Sequence, residues 1–144
     1  MRDLHTYLWR TEAERNLAYL ALRVFVGFAM LTHGWPKLMG GPDTWQDNGG
    51  IMGSIGIPGP AVFWGFMAAV AEGVGGILLI IGLFSPVASF LIAVTMIVAV
   101  FVFHRADPFG ARELGLFFLF NSILFLFKGA GAYSIDRLLP QRHS

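Results

Sequence analysis

AVFWGFMAAVAEGVGGILLIIGL, residues 61–83, decides the fold of this chain. Its one charged residue is Glu72; the rest is mostly Ala, Gly, Val, Leu and Ile. A stretch this long and this apolar crosses a bilayer, which takes roughly 20 residues. A carboxylate in its middle costs about 2.5 to 3.5 kcal/mol on insertion scales, so Glu72 is expected to face a partner or a water-filled cavity. Ala61, Gly65, Ala69 and Gly73 recur on one face, and Ala68, Glu72 and Gly76 on the adjacent one. Small residues at this spacing let helix backbones approach closely in lipid. The face that carries Glu72 is therefore expected to meet protein.

Working outward, three further spans are predicted, at about residues 17–38, 86–103 and 113–127. The fourth is short, and either stands nearly perpendicular or starts before Glu113. The predicted fold class is all-α: an integral membrane four-helix bundle, one domain over residues 1–144, with a long Gly/Pro-rich loop between helices 1 and 2. That loop, Met39 to Pro60, also holds Trp45, Ile51, Met52, Ile55 and Ile57. It is expected to lie on the membrane surface or fold over the helix ends. Gly82 to Pro86 reads as a tight turn, with Pro86 opening the third helix. His104 to Gly110 reads as a short polar turn between spans three and four. Gly27 and Gly34 offer span one a close approach of its own.

Composition agrees with a membrane protein. Hydrophobic residues make up 56% of the chain and charged ones only 13%, against about 25% charge in a soluble domain. A net charge of +1 gives no reason to expect nucleic acid. The chain has no cysteine, which removes disulfides, thiol redox chemistry and iron–sulfur ligation. Any redox role then needs a bound cofactor or a partner subunit. No metal site, phosphate-cradling loop or nucleophilic triad is visible. The N-terminal segment lacks the features of a secretory signal, so the first span is expected to remain as an anchor.

With four spans, both termini and the second turn share one side. That side carries Arg2, Arg10, Arg15, Lys128, Arg137 and Arg142, and the other Lys37, Arg105 and Arg112. Cytoplasmic loops collect Lys and Arg, which predicts that both termini are cytoplasmic. Trp9, Trp35, Trp45 and Trp64 fall near span ends, as interfacial anchors do.

Two polar sets follow. Arg23, Glu72 and Asn121 count to a similar depth at 1.5 Å per residue. This predicts an Arg23–Glu72 pair with Asn121 hydrogen-bonded nearby. Its plain alternative is a structural ion pair that fixes helix register. The second set gathers toward the end away from the termini. His33 and Lys37, four apart, share a helix face, and Pro36 between them should loosen that turn. His104, Arg105, Arg112 and Glu113 join them from spans three and four. Each alone is ordinary for a membrane boundary. Together they form a site able to hydrogen-bond a carbonyl head group and exchange protons with it.

Arg23 followed by THGWPKL (residues 32–38), then AEGVGGILLIIGLF (71–84), His104, Glu113 and KGAGAYSID (128–136) resembles the DoxX family. The resemblance covers most of the chain, from about Leu17 to Leu138. Ala130 and Ala132 depart from it, where relatives often have Pro. It implies a small four-helix membrane protein of the type named after a subunit of a thiosulfate:quinone oxidoreductase. It carries the fold and the membrane location, not the thiosulfate substrate.

The leading expectation is a membrane subunit of a redox system with a quinone-like ligand pocket. Its candidate ligand-binding or proton-coupling residues are Arg23, His33, Lys37, Glu72, His104, Glu113 and Asn121. The expected partners are the lipid bilayer, a redox subunit and a second copy of the chain. A non-catalytic anchor for a soluble redox enzyme and a small proton-coupled transporter stay open, as does whether the chain itself is catalytic.

Overall fold

The computed structural model of the chain describes residues 11–139. Arg2, Trp9, Arg10 and Arg142, which enter the sidedness and anchor arguments, lie outside the described residues. Every regular element among the described residues is helical: α1 (Glu12–Met39), α2 (Gly41–Gly49), α3 (Ile51–Ser54), α4 (Ala61–Ile81), α5 (Ser85–Val98) and α6 (Phe109–Lys128). A π-helical turn, Ala99–Phe103, extends α5. α1, α4, α5 with its π turn, and α6 are each long and apolar enough to cross a membrane.

Two spans begin earlier than hydropathy alone indicates. α1 starts at Glu12 because Thr11 and Glu14 form a capping box, each side chain taking the other's backbone N–H. The helix therefore extends past its apolar stretch into a polar first turn. α6 starts at Phe109, just after Pro108, which sits in extended conformation and ends the preceding turn. Pro36 is held within α1, where the helix continues to Met39.

The connection expected as a loop is largely helical. α2 lies along the first half of α4, and glycines make the fit possible. A Cβ on Gly49 would collide with the backbone at Ala61 and Gly65, and one on Gly65 with the backbone of Trp45. The Trp45 indole N–H donates to the Lys37 carbonyl at 2.9 Å, and its ring meets Phe66 edge-on. Thus the apolar connection packs along the side of α4 rather than only over the helix ends.

α1 and α4 are antiparallel and pack through their glycines. Gly27 lies against Gly76, and Gly34 against the backbone of Glu72 and Gly73. This fixes a register in which residues near 35 of α1 are level with Glu72. Behind this seam, Val26, Met30, Leu79, Ile92, Phe118 and Phe125 form the buried core.

At the end of the bundle where α1 begins and α6 ends, α4 turns into α5 through Gly82 (φ 69°) and Phe84 (φ 47°). A left-handed conformation suits glycine but costs a bulky residue roughly 1–2 kcal/mol. Asp136 supports the turn, its carboxylate accepting from the backbone N–H groups of Phe84 at 2.8 Å and Ser85 at 3.1 Å. A carboxylate at a helix N-terminus satisfies orphan donors and complements the helix dipole.

Candidate ligand cleft

The geometry of this bundle decides who pairs with Glu72. In a helix each Cα–Cβ bond tilts toward the helix N-terminus. Lys37 near the end of α1 therefore reaches back into the bundle. Glu72 on the antiparallel α4 reaches toward the level where Lys37 begins. They meet: Lys37 Nζ lies 2.8 Å from Glu72 Oε1 and 2.7 Å from Oε2. The Glu72 side chain is 3% exposed and that of Lys37 35%.

The same rule carries Arg23 away from Glu72. It lies eleven positions before Gly34, so it is level with the α4–α5 turn, and a Cβ on Gly82 would touch its guanidinium. Arg23 is buried, and it donates to the carbonyls of Ala130 and Tyr133 in the segment after α6. Beside it, the Tyr19 hydroxyl donates to the Gly129 carbonyl at 2.6 Å. The expected Arg23–Glu72 pair is therefore not formed. Counting depth from hydropathy boundaries set the two helices out of register and ignored the direction of the side chains. Asn121 joins neither group: its amide donates to Phe117 O, one turn back on its own helix, at 2.8 Å.

Two cavities flank the Lys37–Glu72 pair. The larger, about 500 Å³, opens between α4 and α5 and is closed at one side by the connection after α2. Phe63, Met67, Phe90 and Phe103 give it an apolar wall, and Lys37, Glu72 and His104 give it a charged floor. The smaller, about 170 Å³, lies on the other side of the pair and is lined by His33, Arg112 and Phe118 as well as by Lys37, Glu72 and His104. His33 and Lys37 do share a cavity, as their spacing indicates, but His33 is exposed, sits edge-on to Phe118 and lines only the smaller space. Glu113 is exposed and lines neither.

A lysine ammonium has three donors. The two Glu72 oxygens engage at most two of them, so one is left for a ligand in either cavity. His104 is tied on its other side: its Nδ1 lies 2.6 Å from Asp107 Oδ2. The acidic partner three residues along the polar turn escaped the sequence reading, although a short His-x-x-Asp spacing in a turn was there to suggest it.

The DoxX family model matches residues 18–105. The chain belongs to the DoxX family. Among DoxX-type relatives, an uncharacterized protein of Haemophilus influenzae is 33% identical over 122 residues, covering 80% of this chain and 85% of its own. A Bacillus subtilis protein named "Putative oxidoreductase CatD" is 32% identical, covering 84% and 86%. The Escherichia coli protein named "Inner membrane protein YqjF" is 28% identical, covering 88% and 95%. No solved structure gives a significant match. The matched DoxX region contains Arg23, His33, Lys37, Glu72 and His104, whereas Asp107, Arg112 and the segment that receives Arg23 lie beyond it. This chain is thus a multi-pass membrane protein of the DoxX type, with its ion pair and larger cavity built mainly from the family's own region.

Proposed function

We propose that this DoxX protein is the membrane subunit of a redox system and holds a quinone-like molecule in the larger cleft. The observation that carries the reading is the pairing of an apolar cavity of about 500 Å³ with an ion pair on its floor whose carboxylate is buried. Ligand sites are typically concave and mostly apolar, with a few convergent polar groups that fix orientation. A quinone needs that combination: an apolar wall for ring and tail, and a donor for a carbonyl oxygen. Lys37 supplies the donor, and Glu72 holds it in place. The name of the Bacillus subtilis relative points toward oxidoreduction. The chain has no cysteine, so electrons enter from a bound cofactor or a partner protein.

The same reading places the protein in the inner membrane, in line with the name of the Escherichia coli relative, with both termini in the cytoplasm. Because the chain lacks cysteine, single cysteines introduced at Ser134 and Arg105 report sidedness cleanly. Only the latter should react with an impermeant maleimide added outside spheroplasts.

The decisive experiment is binding of a short-tailed quinone to the full chain in lipid nanodiscs. Saturable binding is expected, weakened at least about tenfold in Lys37→Met, which corresponds to 1.4 kcal/mol. Binding that is unchanged in this variant rules the cleft out. A variant that loses only thermal stability, in a protein that binds no quinone, supports the anchor reading instead.

A further inference from the structure

We infer that His104, positioned by Asp107, is the proton port of the cleft, passing protons between a bound quinone and water. This rests on the quinone reading above. Three observations place the imidazole in that role. First, His104 lines both cavities, so it stands in the wall between the apolar cleft and the smaller one. Second, its Nδ1 is held by Asp107 Oδ2 at 2.6 Å, which leaves Nε2 as the ring atom free to serve a ligand. Third, accessibility rises along the route. The Glu72 side chain is 3% exposed, His104 37% and Asp107 47%. A proton taken from the port is thus replaced from the polar turn rather than through the bundle.

The backbone is built to present this ring. Over Ala99–Phe103 the α5 ladder widens to π geometry, and the His104 N–H closes on Ala99 O at 2.9 Å, five residues back. An inserted residue of this kind rotates all that follows and is frequent at functional sites. Here it brings both Phe103 and His104 onto the cleft. The Asp107 N–H also donates to His104 O at 3.0 Å, so the turn holds the acid beside the ring. A carboxylate on one imidazole nitrogen orients the ring and stabilises its protonated form.

The proton balance is simple. Quinone takes two protons and two electrons, one from each of two reduced one-electron donor proteins that are thereby oxidised, and becomes quinol by way of the semiquinone. Each proton leaves His104 Nε2 and forms an O–H bond on the ligand. The imidazole then regains a proton from water at the turn. The charged and titratable groups around the ring are Lys37 and His33 on α1, Glu72 on α4, Arg112 on α6, and Asp107 itself. Lys37 is held by Glu72 and serves the carbonyl oxygen as a hydrogen-bond donor, while His104 presents the ring nitrogen that passes the proton.

The test uses the full chain in nanodiscs, loaded with decylubiquinone and reduced by dithionite. Quinone affinity, the rate of quinol formation and the semiquinone radical signal are followed together. His104→Ala should bind quinone within about threefold of wild type. It should form quinol about 100-fold more slowly, accumulate semiquinone, and recover with added imidazole. Asp107→Asn should keep binding but move the alkaline fall of the rate to lower pH, since the imidazolium loses its stabilising charge. If His104→Ala binds quinone and is reduced at the wild-type rate, the port is wrong while the cleft stands. An unmoved pH profile in Asp107→Asn removes Asp107 from the role. A wild-type protein that binds no quinone overturns port and cleft alike.

Discussion

The two ends of the bundle spend their polar residues differently. At the end where α1 begins and α6 ends, Arg23 is buried, and its partners are carbonyls of the chain itself, at Ala130 and Tyr133. Tyr19 does the same with Gly129, and Asp136 with the N–H groups of Phe84 and Ser85. These donors and acceptors are spent on fastening one segment to another. At the far end, Lys37 and Glu72 satisfy each other but border open space on both sides, with His104 completing the wall. An intramembrane charge is thus a functional candidate by what it faces, not by being there.

Five substitutions sharpen or break that contrast, beginning with the largest effect. Arg23→Met leaves the buried Ala130 carbonyl and the half-buried Tyr133 carbonyl without their donor, at about 1–3 kcal/mol for the buried one and less for the other. Thermal unfolding in detergent should show a loss of about 3 kcal/mol, with quinone affinity of the folded fraction unchanged. A large loss of affinity there would erase the difference between the ends. Lys37→Met leaves the Glu72 carboxylate buried and unpaired. Breaking such a pair costs about 3–5 kcal/mol, and partial exposure of Lys37 brings the expectation to about 2 kcal/mol. Adding Glu72→Gln should restore most of this stability but none of the binding, which a double-mutant cycle would separate.

Gly34→Ala tests the seam between the ends. Its methyl meets the backbone of Glu72 and Gly73, and overpacking of this sort costs about 1–3 kcal/mol. It should also weaken ligand binding, because the strain falls at the level of the ion pair. Asp136→Asn is the mildest: losing the charged cap on α5 should cost about 1 kcal/mol, with no effect at the cleft. Denaturation curves alongside quinone titrations check both.

How much of this could be read in advance differs with the kind of signal. The four spans and the close α1–α4 approach were legible because they rest on periodic features: apolar length, and Gly27, Gly34, Gly73 and Gly76 on facing surfaces. The partner of Glu72 was not, because pairing depends on register, and hydropathy misses the first turn of α1 that Thr11 caps. Arg23 was harder still, since its acceptors are main-chain carbonyls, which every residue carries. Asp136 lies 52 residues from Phe84, in a segment with no periodicity to align it. The helical connection was hidden by its glycines: Gly49 and Gly65 read as loop and packing residues separately, yet they are two halves of one contact.

The fastening of residues 129–136 also has a consequence for biogenesis. This segment joins the first span, through Tyr19 and Arg23, to the α4–α5 turn, through Ile81, Gly82 and Phe84. It is synthesised after every span. Until it emerges, the Arg23 guanidinium has been delivered to the membrane without its acceptors, and the Phe84 turn lacks its cap. The nascent protein therefore completes its bundle in one late step, when a short stretch outside the spans draws the earliest helix and the middle turn together.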